Sequence, residues 1–370
     1  MTTQKAAAIL TFLLAFVVLL GGATTTFRSD SLVELTGKWS GSAHADRTAR
    51  SFTYWNADDP PVIPVDCAKC HSNYGFLDYL GEIGENPGEV DHEPLVGSVV
   101  SCTTCHNVTA HAMTQVTFPS GLQVSALGGE GECLICHQGT QAGADVDEAI
   151  AGLMDDEIGE ALSFINVHYG VASATQWGAE VAGGYQYPGR SYVGFYGHVA
   201  GYRTCIDCHD PHNLMVDPQD CSPCHYGVVD AADLVTIRTD PRDYDGDGDT
   251  DEGIAAEIEA LRQALLQAMK DYAAAVIEAP IVYGPDRFPY FFAVDLDADG
   301  QPNPLELHFG NRYVTWTPRL LRTAYNYQFA SKDSGNYTHN PRYVLQLLYD
   351  SLEDLGERVP VPALSSLTRP

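Results

Sequence analysis

Cys67-Ala-Lys-Cys70-His71, Cys102-Thr-Thr-Cys105-His106, Cys133-Leu-Ile-Cys136-His137, Cys205-Ile-Asp-Cys208-His209 and Cys221-Ser-Pro-Cys224-His225 are five copies of one pattern, and they use all 10 cysteines of the 370-residue chain. Two thiols separated by two residues and followed at once by an imidazole form the attachment signature of c-type haem. The thiols make thioether bonds to the vinyl groups, and the histidine reaches the iron from one face. With 13 His in 370 residues, a His after every pair arises by chance with odds on the order of one in ten million. A zinc ribbon needs the cysteine pairs but no fixed His behind each, and a disulfide framework needs no such repeat. The expectation is five covalently bound haem c groups, with His71, His106, His137, His209 and His225 as proximal iron ligands.

The start of the chain agrees with that chemistry. Lys5, the apolar run 6–20 and the small-residue exit Gly21-Gly22-Ala23 read as a secretory signal spanning residues 1–23. The run is short for a membrane span, which needs ~20 residues; an uncleaved anchor is the alternative. Export to the periplasm or beyond the cell fits thioether attachment, which normally takes place outside the cytoplasm. No later segment is apolar enough to cross a membrane. The net charge is −29, which repels nucleic acid and anionic lipid and suits a basic redox partner.

The first cysteines stand at 67, 102, 133, 205 and 221, giving steps of 35, 31, 72 and 16. Residues 24–60 read as an extended N-terminal arm and residues 61–239 as a pentahaem domain of turns and short helices wrapped on porphyrin. From 240 to 370 there is no Cys, and helical periodicity appears. Ile254, Ile258, Leu261, Leu265, Ala268 and Tyr272 mark one face of a helix. Asn340 and Pro341 start another with the stripe Val344, Leu348, Leu352 and Leu355, and Gly356 suits its C′ position. A shorter helix is expected over 317–329. The fold class is a mostly irregular and α-helical haem-packed domain followed by an α-helical unit.

Eight His remain beyond the proximal five: His44, His92, His111, His168, His198, His212, His308 and His339. Bis-His ligation of five irons needs five of them. Met113, Met154 and Met215 are the other donors, and Met ligation would raise a haem's potential. His212 lies three residues past His209. Axial ligands occupy opposite faces of a macrocycle, and three residues cannot pass around it, so His212 must serve a haem other than the one at Cys205 and Cys208. The same reasoning keeps His111 off the haem of His106.

Beyond the motifs, Ser42-Ala-His44-Ala, the stretch 55–76, Asn166-Val-His168-Tyr169, the run 184–198, Asp210-Pro-His212, Trp316-Thr-Pro-Arg and His339-Asn340-Pro341 resemble the multihaem c-type cytochromes of bacterial periplasmic and extracellular electron transfer. That resemblance implies His44, His168, His198, His212 and His339 as distal ligands, with His111 and His92 in reserve. It does not imply which distal His meets which haem.

Two acidic loops stand apart. Asp295, Asp297, Asp299, Gly300 and Glu306 fit the calcium loop D-x-D-x-D-G-x5-E. Asp243, Asp245, Asp247 and Asp249 give only its first half, with Ile254 where the bidentate Glu belongs. The first is expected to take Ca²⁺ and the second is a candidate for it; a solvated acidic turn is the alternative reading. The function expected is electron transfer without substrate chemistry, toward redox proteins such as other cytochromes. The alternatives are a reductase of a small nitrogen or sulfur oxyanion at one open haem, and a subunit of a haem-stacked filament.

Overall fold

The computed structural model describes residues 31–125, 127–293, 296 and 301–370. The expected signal, 1–23, and the calcium-loop residues Asp295, Asp297 and Asp299 lie outside the described residues. Among the described residues no helix is long and apolar enough to cross a membrane.

The last third is built on three helices. Ile254–Ala275 buries the expected stripe: Ile258, Leu261, Leu265, Ala268 and Tyr272 are all buried, and Ile254 is half-buried at the helix start. Pro318–Ser331 follows Thr317, whose hydroxyl accepts the Leu320 N–H at 3.2 Å. Pro341–Gly356 begins at Asn340, whose side chain accepts the Tyr343 N–H at 3.2 Å. Both therefore combine a polar cap with Pro at the first position, where its missing N–H is one the helix would leave unpaired anyway. Gly356 is the last helical residue and Glu357 the cap, two steps from the expected C′ position and within the usual ambiguity of helix ends.

The motif region is made of short helices and turns, with a two-stranded hairpin, Gln115–Thr117 against Gln123–Ser125, in which Val116 faces Val124. It has an apolar core of its own protein atoms, including Phe76, Leu134, Val146, Val167 and Trp177. Tyr325 and Phe329 of one C-terminal helix and Tyr343 and Leu347 of the other join that cluster, while Leu320, Leu321, Leu345 and Leu348 face the second cluster around Trp316. A helix buried on all sides, as Pro318–Ser331 is from Pro318 to Ala330, is packed on all sides, and here it joins the two regions. Buried polar groups are matched across the same boundary. Asn326 accepts the Tyr185 N–H at 2.8 Å and donates to its carbonyl at 3.0 Å, and the Tyr325 hydroxyl donates to the Gly183 carbonyl at 2.9 Å.

The N-terminal arm is not extended as expected. Ser31 caps a helix over Leu32–Ser40 by accepting the Glu34 N–H, and a short 3-10 turn over Ala43–Ala45 carries His44. Glu34 in the first turn and Lys38 in the last complement the helix dipole. No residue of Leu32–Ser40 is buried.

A charged network closes the C-terminal unit. Arg319 is 3% exposed and pairs with Asp156 and Glu357 at 2.9 Å each and with Asp354; Arg322 pairs with Asp155 at 2.6 Å and with Asp354. Asp354 thus neutralises two guanidinium groups in a place with little water. Its replacement by Ala takes from both their most buried partner and leaves them the more exposed Asp155, Asp156 and Glu357; removing one partner of a buried pair costs about 3–5 kcal/mol. Asp354→Ala should lose that much unfolding free energy in a denaturant melt followed by circular dichroism. A loss below about 1 kcal/mol would put the network among solvent-screened surface pairs.

Candidate metal centre: paired imidazoles

Each motif makes one helical turn. The His N–H donates to the carbonyl of the first Cys at 2.8 Å in His106–Cys102 and His209–Cys205 and at 2.9 Å in His137–Cys133 and His225–Cys221. The first motif lies within the helix Val65–His71. Positions i, i+3 and i+4 share a helix face, so both thiols and the imidazole are presented together, the donor set that one porphyrin edge and its iron require. Side chains fix the turns: Thr104 Oγ1 accepts the Ser101 N–H at 3.1 Å and Asp207 accepts the Thr204 N–H at 2.8 Å. No two of the ten cysteines are joined as a disulfide.

A second imidazole faces each of these five. Ring centres are 5.9 Å apart for His71 and His168, 6.2 Å for His106 and His212, 6.3 Å for His137 and His44, 6.4 Å for His209 and His339, and 5.9 Å for His225 and His198. A metal–imidazole nitrogen bond is ~2.0–2.1 Å and the ring centre lies about 1.1 Å beyond, so two imidazoles on opposite sides of one metal have centres roughly 6.3 Å apart. The residues present fit the group. Each of the five implied distal His falls beside a different proximal one.

Local structure serves these placements. His168 and His198 hold φ of 71° and 41°, a left-handed conformation costly for any residue with a Cβ and often found at functional sites. The Asn166 side chain accepts the His168 N–H at 3.1 Å. Gly170, at φ 70°, lies where a Cβ would come within 3.2 Å of His137 Nδ1. Burial keeps His44, His71, His168 and His198 below the ordinary imidazole pKa. His137 is pushed down to about 4 by burial first and by His44 and His339 next. These rings are thus neutral, the form that offers a lone pair to a metal.

The motifs also abut. Cys136 Sγ lies 4.0 Å from the Lys69 carbonyl, between the third and first motifs, and the Cys205 N–H donates to Glu130 at 2.5 Å, between the fourth motif and the start of the third.

His111 also lies beside His106. The helix Val108–Ala112, capped by Asn107, turns it back to within 5.9 Å of His106, tilted at 52°. His106 therefore has two imidazole neighbours, with His212 nearly parallel to it at 17°. His92 is 76% exposed and faces Asp78 at 3.7 Å. Met154 and Met215 are exposed.

At the half-motif acidic loop, ligand atoms of Asp243, Asp245 and Glu257, and of Asp245, Asp247 and Glu252, lie within 4.8 Å of one another. Asp249 belongs to neither group. Gly246 and Gly248, at φ 79° and 93°, donate to Asp243 at 2.5 and 2.8 Å. Burial and the neighbouring carboxylates Asp247, Glu257 and Asp243 push Asp245 up to about 6. Glu257 was not expected: the helix from Ile254 returns it, fully buried, over the loop. Its spacing from Ile254, one helical turn, was the available signal. In the other loop Glu306 is buried and accepts from the Leu296 and Asn303 N–H groups at 2.6 and 2.9 Å.

One-turn CxxCH motifs, each opposed by a second imidazole, define a multihaem c-type cytochrome that binds haem c covalently. The relatives belong to that family. The chain is 27% identical, over 79% of its length, to the C-type polyheme cytochrome OmcB of two Geobacter sulfurreducens strains, and 25% identical, over 85%, to OmcC of the same species. It spans 38% of the length of OmcB and 45% of that of OmcC. No family model and no solved structure matches the chain.

The two neighbours of His106 are separable. His212→Ala should convert one haem to high spin with all thioether links kept, and His111→Ala should convert none. The reverse pattern in electron paramagnetic resonance of the ferric protein would make His111 the ligand.

Proposed function

We propose that this chain is an exported pentahaem cytochrome that carries electrons between bis-His haems in respiratory or extracellular electron transfer, and that it is not an enzyme. The observation that carries this is the presence of five imidazole pairs whose centres lie 5.9–6.4 Å apart. The pairing read from it is His71 with His168, His106 with His212, His137 with His44, His209 with His339, and His225 with His198. Haem c, when bound, supplies reversible one-electron chemistry at iron. The chain's part is to fill both axial positions with neutral imidazole, so that no position stays open to a substrate. Imidazole pairs, lacking Met, favour low potentials. The abutting motifs favour short distances between carriers. The acidic surface favours basic redox partners, among them other cytochromes or further copies of the chain in a filament. It disfavours nucleic acid.

Mass spectrometry of the mature protein should show five haem additions, and the ferric spectrum should be wholly low-spin and unchanged by cyanide or nitrite. Four additions from a competent host would remove one motif from this reading. A high-spin haem that shifts with nitrite, hydroxylamine or a sulfur oxyanion and turns it over would favour a reductase.

We also propose that Ca²⁺ occupies the loop of Asp243, Asp245 and Asp247 with Glu252 and Glu257, and that the loop of Asp295, Asp297, Asp299 and Glu306 is a second site. The carboxylates of the first loop's two overlapping groups outnumber the one guanidinium among them, that of Arg238 on Glu257; a further cation would relieve the remaining repulsion, and hard oxygen donors suit calcium. A cation bound only to the folded state raises its stability by mass action. Chelator should therefore lower the melting temperature of the wild type, and lower it less in Asp245→Asn. Equal melting with and without chelator would leave the first loop a solvated turn.

A further inference from the structure

The imidazoles facing the five irons differ in what their second nitrogen meets. His209 Nδ1 lies 3.0 Å from the Leu214 carbonyl, a neutral acceptor. His339 Nδ1 lies 2.9 Å from both carboxylate oxygens of Asp333. Among the described residues, no other imidazole of the ten has a carboxylate at hydrogen-bond distance; His212 and Asp210 are 3.8 Å apart on a partly exposed surface. The Asp333 side chain is 3% exposed. Among the described residues no Lys or Arg forms an ion pair with it, and the ammonium of the adjacent Lys332 lies over the rings of Tyr169 and Tyr290 at 3.9 and 4.3 Å.

The turn is shaped for this contact. The Gly335 N–H donates to Asp333 at 3.0 Å. A Cβ at Gly335 would come within 2.6 Å of His339 Cε1, so the ring lies against a bare backbone. The short helix Asn336–His339 then directs the imidazole at His209.

We infer that Asp333 is a positioning and tuning residue that makes the haem held by Cys205, Cys208, His209 and His339 more electron-rich than it would be with a neutral acceptor on both imidazoles. A carboxylate on the distant N–H of a ligating imidazole fixes its orientation and raises its basicity. A more basic ligand stabilises ferric over ferrous iron, and a fixed negative charge in a place of low dielectric acts in the same direction. Asp333 therefore lowers that haem's potential. This rests on the reading of His339 as a ligand, and the two are tested separately.

The experiment uses the intact holoprotein. His339→Ala should turn one haem high-spin; a wholly low-spin spectrum would overturn the ligand assignment and the tuning role with it. With that assignment established, Asp333→Asn keeps an acceptor for Nδ1 but removes the charge. Spectroelectrochemical titration should then show one of the five midpoints moved to more positive potential, with the others in place and all haems low-spin. Unmoved midpoints would overturn the tuning role while leaving the ligand assignment intact. Should Asp333→Asn itself release the ligand, Asp333→Glu decides the matter: the wild-type midpoint pattern supports a role for the charge, and a positive shift despite the retained charge overturns it.

Discussion

Two imidazoles that share a metal must approach from opposite sides along one line, with their ring centres about 6 Å apart. Nothing in a polypeptide favours that arrangement by itself. Two aromatic rings at this distance with open space between them bury little surface and form no direct hydrogen bond. Five such pairs therefore require a scaffold that holds loops in place by other means. The scaffold here is the C-terminal helical unit, whose residues Tyr325, Phe329, Tyr343 and Leu347 enter the apolar cluster of the motif region. Its polar contacts do the same work. Asn340 caps its own helix and also donates to the Gly194 carbonyl at 3.0 Å, four residues before His198.

The covalent part of the site was legible in the sequence because it is local. Cys, Cys and His at i, i+3 and i+4 need only one helical turn, and the hydrogen bond closing that turn recurs in the last four motifs. The helices after residue 250 were legible for the same reason, since caps and stripes act within a few residues. The pairing of the imidazoles was not. His44 and His137 are far apart in the chain, as are His209 and His339, and no local propensity connects them. The argument that His212 serves another haem was steric, and its ring lies 6.2 Å from that of His106, in a different motif. The same argument applied to His111 did not anticipate that a capped turn would bring it back beside His106. The arm was read as extended because its apolar residues are sparse, yet Ser31, Glu34 and Lys38 supply local signals enough for a helix that buries nothing. At the half-motif loop the template placed its last carboxylate at position 254; the helix that begins there supplies Glu257 one turn later.

The five pairs are not alike in their surroundings. His168 and His198 are held by strained backbone, His339 by a carboxylate, and His212 by a turn in which Asp210 accepts its N–H at 2.9 Å. Similar donors in different surroundings give different electronic levels, because second-shell hydrogen bonds, burial and nearby charge are the levers left once the ligands are the same.

His44 is the exception in how it is carried. The arm that brings it to His137 is secured by the Trp39 indole N–H on the Val100 carbonyl at 3.0 Å and the Lys38–Asp210 ion pair at 2.9 Å, with little buried apolar surface behind them. Segments of that kind open at lower free energy than a packed core. The arm is thus the piece of the folded chain held by the fewest buried contacts. On heating it is the part that leaves first, carrying His44 away from His137 before any helix of the C-terminal unit is lost.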